Sequence, residues 1–90
     1  MPDGRARVVV RGRVQGVYFR GEAQVRARSL GVSGWAQNER DGSVQAVFEG
    51  PRARVESMIE WCRRGPRGAR VDEVETVWEE PEGLSGFRVR

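Results

Sequence analysis

The sequence predicts an α+β domain with the element order β-α-β-β-α-β. Three observations lead there. Valine-rich alternation near the N-terminus gives way to helical periodicity at Phe19. A second helical stripe, Val55, Met58, Ile59 and Cys62, stands at i, i+3, i+4 and i+7 between strand-like stretches. An Arg40-Asp41-Gly42 turn joins two alternating segments as a hairpin, the Asp-Gly pair supplying the positive φ such turns need.

The elements follow in order. Residues 5–11 read as a strand, with Ala6, Val8 and Val10 alternating with Arg5, Arg7 and Arg11. Gly12 ends it, and residues 12–18 form a loop. The first helix runs from Phe19 to Leu30 on the stripe Phe19, Ala23, Ala27, Leu30, with Glu22 and Arg26 as an i,i+4 pair and Gly31 as its stop. Val32 to Glu39 forms the second strand and Ser43 to Glu49 the third. Gly50-Pro51 opens the second helix and Gly65-Pro66 stops it, with Arg63, Arg64, Arg67 and Arg70 around its C-terminus. The fourth strand spans 70–79. Val74, Thr76 and Trp78 share one of its faces, and Val71 and Val77 do not fit that face, which suggests a bulge or burial on both sides. After the loop Glu79-Glu80-Pro81-Glu82-Gly83, residues 86–90 read as a short terminal strand. The order is that of the ferredoxin-like split βαβ plan, an antiparallel sheet in the order 4-1-3-2 with both helices on one face. It brings the loop after the first strand and the end of the second to the same end of the sheet.

Ninety residues are expected to form a single domain, 1–90, large enough to bury a core. No apolar run approaches membrane-spanning length, and the N-terminus lacks the apolar region of a secretory signal. One cysteine, Cys62, cannot form an intrachain disulfide, so a cytoplasmic location is the default expectation. The absence of histidine excludes Ser-His and Cys-His catalysis and imidazole-bound metal, and one cysteine excludes a thiolate zinc site. Chemistry is left to arginine, amides, carboxylates, backbone and water. All 16 basic residues are arginine, as codon usage in a GC-rich genome would give, and the net charge is +3. Positive charge concentrates in residues 1–30 and 51–70.

The first candidate site is Gln15-Gly16-Val17-Tyr18-Phe19-Arg20. A glycine-containing loop can turn several N–H groups into one concavity, and the helix N-terminus behind it favours an anion. A cation in the first helical turn is disfavoured by the macrodipole. Arg20 is therefore either a solvated residue at a small cost or the partner of a bound anion. Asn38 is either turn chemistry before the hairpin or an amide that positions a water at that anion. Tyr18 would line the rim or cover the core. Trp35, Trp61 and Trp78 are expected to pack, with Trp61 off its helix stripe and partly exposed. The acidic residues from Asp72 to Glu82 alternate along a strand and offer no spaced metal-ligand set, so they read as a solvated or edge-protecting face.

The stretch Val10-Arg11-Gly12-Arg13-Val14-Gln15-Gly16-Val17-Tyr18-Phe19-Arg20 closely resembles the acylphosphatase motif V-x-G-x-V-Q-G-V-x-F-R at every fixed position. Residues Gly34 to Val44 resemble that family's second motif, G-x-V-x-N-x-x-D-G-x-V, with Ala36 where valine is usual. The resemblance covers essentially the whole chain. It implies hydrolysis of small-molecule acyl phosphates to a carboxylate and inorganic phosphate, with Arg20 binding the phosphate, the backbone of Gln15 to Phe19 cradling it and Asn38 orienting water. It implies no metal, no cofactor and no covalent intermediate. A monomer without nucleic-acid or membrane partners is expected. Two other functions share the fold: a non-enzymatic anion-binding module, and an RNA-binding domain, for which the third strand lacks the aromatic and basic pattern.

Overall fold

The structure, a computed structural model, describes residues 3–90. Met1 and Pro2, part of the N-terminus read above for a secretory signal, lie outside the described residues. Strand β1 (Asp3–Arg13) leads to helix α1 (Phe19–Leu30), strands β2 (Ser33–Asn38) and β3 (Val44–Pro51), helix α2 (Arg52–Arg64), and strands β4 (Arg70–Glu79) and β5 (Phe87–Val89). The sheet order is β4-β1-β3-β2-β5. The first four strands are antiparallel neighbours in the expected order, and β5 adds a parallel pair on β2, Gly34 beside Phe87 and Ala36 beside Val89. The sheet is thus mixed, which alternation within a three-residue tail could not reveal.

Both helices cover one face. Ala6, Val8 and Val10 of β1 stand beside Phe48, Ala46 and Val44 of β3 and pack with Phe19, Ala23 and Ala27 of α1 and with Val55, Met58, Ile59 and Cys62 of α2 in one buried cluster. Phe48 stacks on Phe87 at 5.9 Å, which anchors β5 to the core. Trp61 is buried, contrary to expectation, with its ring 5.1 Å from that of Phe19. Its position off the α2 stripe faces α1, a neighbour that the stripe of α2 alone does not register. Arg26 lies over Trp61 at 5.6 Å, and among the described ion pairs it has none with Glu22. Pro51 is the residue before α2 and ends β3, so the helix begins one position later than the Gly-Pro pair suggested.

The anticipated bulge is present. Register shifts between Arg11 and Gly12, so that Gly12 pairs with Val71 and Arg11 with Glu73. Val71 thereby joins the core side, while Val77 stays exposed on the open face. Gly12 has φ 134°, and a Cβ there would come 2.1 Å from the Arg70 oxygen, so β1 can continue to Arg13 only through glycine.

The open face of the sheet is ionic. Arg11 reaches Glu75 at 3.0 Å and Arg7 reaches Glu79 at 2.9 Å. Arg5, 3% exposed, donates to Glu79 at 2.9 Å and to Glu49, 5% exposed, at 3.0 Å. The acidic side chains of β4, an edge strand, stand in water as expected, Glu73 and Glu75 being more than half exposed, and also neutralise the arginines of β1. Because β4 and β5 occupy opposite edges, the segment between them must cross the sheet. Glu49, on central β3, holds that crossing by accepting from the N–H groups of Glu82, Gly83 and Leu84 at 3.1, 2.6 and 2.9 Å. The crossing delivers β5 to the edge of β2, where its last residues reach the loop before α1.

Candidate functional site

Val10 of β1 and Asn38 of β2 both pair with Val44, so the end of β1 and the end of β2 meet at one end of the sheet. The chain leaves β1 at Arg13 and turns through Val14 to Tyr18 into α1. Val14, 1% exposed, plugs the core beneath the turn. Gly16 takes φ 76° with open space around its Cβ position, so the loop asks for backbone freedom there and not for room. Tyr18 takes φ 62° as the residue before α1, a left-handed conformation that costs a non-glycine residue about 1–2 kcal/mol.

The turn is fastened to the β2–β3 hairpin by a single side chain. Gln15 Nε2 donates to the main-chain oxygens of Glu39 at 2.7 Å and Ser43 at 2.9 Å. The hairpin is itself closed by Glu39 N to Ser43 O at 2.9 Å. Asp41 accepts from the Ser43 hydroxyl at 2.6 Å and its N–H at 3.0 Å, and these two bonds hold its carboxyl below the usual carboxylate range. Gln15 thus ties the loop before α1 to the loop that follows Asn38.

Between these loops lies a cleft of about 400 Å³ lined by Val14, Gly16, Tyr18, Phe19, Arg20, Gly21, Gln24, Asn38 and Val89. Arg20 and Asn38 are brought together there, as the strand order required. Of the loop residues, Gly16, Tyr18, Phe19 and Arg20 line the cleft. Gln15 and Val17 do not: the Gln15 side chain is committed to the hairpin, and Val17 packs on the core. Phe19 contributes floor, being 2% exposed. The first bond of α1 runs from Glu22 N to Tyr18 O, so the N–H groups of Phe19, Arg20 and Gly21 precede it and are free for an anion. Arg20 Nη1 donates to the main-chain oxygen of Arg90 at 2.5 Å. Arg90 is held in turn by its N–H on Ala36 O at 2.8 Å and by its guanidinium over Trp35 at 4.1 Å. No carboxylate lines the cleft, and among the described residues no group of three histidine, cysteine or acidic side chains is placed to hold a metal ion.

Four lining residues were not foreseen as site residues: Val14, Gly21, Gln24 and Val89. Gln24 follows Arg20 by four positions, one turn along the same face of α1, a spacing that could have nominated it. Val89 reaches the cleft only because β5 runs parallel to β2, and nothing in the tail's sequence signals that pairing.

The family model for acylphosphatase matches residues 6–89, which includes the whole cleft. The chain belongs to the acylphosphatase family. It is 53% identical over 90 residues to the acylphosphatase of Haloarcula marismortui, covering 100% of this chain and 99% of that one. The acylphosphatase structure from Coxiella burnetii superposes with a TM-score of 0.94 at 36% identity, over 98% of this chain and 93% of the other. That from Bacillus subtilis gives 0.93 at 32% identity, over 97% and 98%. Acylphosphatases are hydrolases acting on acid anhydrides, and family membership assigns this chain to that class.

Proposed function

We propose that the cleft hydrolyses small-molecule acyl phosphates without metal or covalent intermediate, the Gln15–Arg20 turn holding the phosphoryl group and Asn38 holding the attacking water. The observation that carries this reading is the meeting of Arg20, Asn38 and the free N–H groups of the first turn of α1 in one cleft. Arg20 supplies the fixed charge and a fork of donors. Gly16 and the N–H groups from Phe19 to Gly21 supply neutral donors to the equatorial oxygens, in a site where such donors need no reorganisation. Gln15 and Val17, outside the lining, complete the main-chain turn that shapes the cradle, and the Gln15 side chain sets the loop against the hairpin.

The chemistry fits what the cleft lacks. A carboxylate leaves an anhydride readily, so no general acid is needed. A loose phosphoryl-transfer transition state asks little of a base. Catalysis then rests on aligning water, phosphorus and leaving group. Asn38 can orient the water through its amide without accepting its proton, and a phosphate oxygen of the substrate is the acceptor left. The absence of any carboxylate from the lining supports that assignment.

A single domain, 1–90, acting as a cytoplasmic monomer completes the proposal, supported by one contiguous core cluster and the single buried cysteine. A nucleic-acid partner is not part of it. Phe48 faces the helices, and Trp35 on the open face is already flanked by Arg7 and Arg90. The test is Asn38→Ala, assayed with benzoyl phosphate. kcat should fall by about 10²–10³ with KM changed less than threefold, as expected when one transition-state contact is removed. Retention of full kcat would reject the water-holding role.

A further inference from the structure

The cleft has a second, apolar side that phosphate binding does not use. Tyr18 is 70% exposed and lines the cleft, in a left-handed conformation that a bulky side chain rarely adopts. Its ring is nonetheless held. A Cβ at Gly21 would lie 2.3, 2.4 and 2.6 Å from Tyr18 Cζ, Cε1 and Cε2, so the ring rests on the bare backbone of the first turn of α1. Val89, 40% exposed, belongs to the same lining. The other two apolar lining side chains, Val14 and Phe19, are buried in the floor, so Tyr18 and Val89 are the apolar groups that face outward. Next to them lie Arg20, Gln24 and Asn38. The volume, about 400 Å³, falls within the range of sites for whole small molecules, larger than a phosphoryl group requires.

We infer that the Tyr18 ring, seated on Gly21 and accompanied by Val89, is the docking platform for the acyl group, and that it gives the enzyme a preference for acyl phosphates with a flat apolar acyl moiety over acetyl phosphate. This rests on the phosphate end of the cleft being as proposed above. With the phosphoryl group at Arg20 and water at Asn38, the leaving carboxylate departs on the side opposite the water. Its substituent then has to leave the polar end of the cleft, and the ring offers it an exposed aromatic face. An aromatic contact of this kind is worth about 0.5–1.5 kcal/mol, or about two- to tenfold in relative rate.

The experiment compares kcat/KM for benzoyl and acetyl phosphate in wild type, Tyr18→Phe, Tyr18→Gly and Gly21→Ala. Tyr18→Gly removes the ring and relieves the positive φ, and Gly21→Ala keeps the ring but displaces it. The benzoyl-to-acetyl ratio should fall about three- to tenfold in both and stay within twofold of wild type in Tyr18→Phe. An unchanged ratio in Tyr18→Gly and Gly21→Ala overturns the platform. A parallel titration with phenacylphosphonate and acetonylphosphonate, unhydrolysable counterparts of the two substrates, reads the same preference without turnover. If wild type cleaves neither substrate but still prefers the phenacyl compound through Tyr18, the hydrolytic reading fails and the platform stands. If it prefers neither phosphonate, the platform fails whatever the rate.

Discussion

Replacing Glu49 by alanine should cost more than any substitution on the surface of this protein. In the native fold its carboxylate receives one bond from buried Arg5 and three from the N–H groups of the chain crossing to β5. Burial alone would push the Glu49 carboxyl up, but those three N–H groups and Arg5 outweigh it and hold it below the usual range. Arg5 is likewise held above its ordinary value, burial being outweighed by Glu79, Glu49 and Glu82. Breaking a buried ion pair from one side typically costs about 3–5 kcal/mol. Arg5 keeps Glu79 at 2.9 Å, and the released N–H groups lie in an exposed segment where water can reach them, so the low end, about 3 kcal/mol, is expected here. For a domain of this size each kcal/mol moves the thermal midpoint by about 4–8 °C, which predicts a fall of about 12–24 °C by circular dichroism at pH 7. Glu49→Gln, which keeps the volume and one acceptor oxygen, should fall between. The acid limb gives an independent reading. The folded pKa of Glu49 lies below its unfolded value of about 4.3, so its stabilisation is complete above that pH and drains away as pH falls through the folded value. Stability of the wild type should therefore drop more steeply than that of Glu49→Ala between about pH 5 and pH 3. A midpoint within 5 °C of wild type, with parallel acid limbs, would refute the view that Glu49 fastens the crossing segment.

Two other expectations follow from single contacts. Gln15→Ala removes both bonds between the phosphate turn and the hairpin, which should lower stability by about 1–2 kcal/mol and raise KM for benzoyl phosphate, since the turn and Asn38 are no longer held at a fixed separation. The thiol of Cys62, fully buried and pushed up to about 12 by that burial, should resist an aromatic disulfide reagent at pH 8 in the native protein and react stoichiometrically on unfolding.

Local periodicity carried most of the fold. The stripe from Val55 to Cys62 and the alternation from Ala6 to Val10 each bury the side the sequence implied, because one helix or strand against one core is a local problem. Of the two explanations open for Val71 and Val77, a bulge accounts for Val71, while Val77 is simply exposed in regular pairing with Arg7. What stayed hidden depends on pairs distant in sequence. Trp61 meets Phe19 across the helix layer, Arg5 meets Glu49 and Glu79 across three strands, and β5 adds to β2 in parallel. No window of sequence contains both partners of such contacts. The candidate site divides the same way. Arg20 and Asn38 were legible because the strand order dictates that the ends of β1 and β2 coincide. The Gln15 main chain was assigned with its loop to the phosphate, but the role of its side chain was not legible, because the amide bonds two main-chain oxygens of the hairpin 24 and 28 residues away. Val89 depended on β5 and was out of reach.

The central claim, that Arg20 is the charge on which the phosphate site depends, is tested most directly by inorganic phosphate as a competitive inhibitor of benzoyl phosphate hydrolysis in wild type and Arg20→Ala, each with and without EDTA. Wild type should turn over at the same rate with and without EDTA and be inhibited by phosphate. Arg20→Ala should lose at least about 10³ in kcat/KM, and phosphate inhibition of its residual rate should weaken at least tenfold, consistent with removing a charge-assisted donor from a phosphoryl-transfer site. Undiminished phosphate inhibition in Arg20→Ala, or turnover abolished by EDTA, would contradict the account.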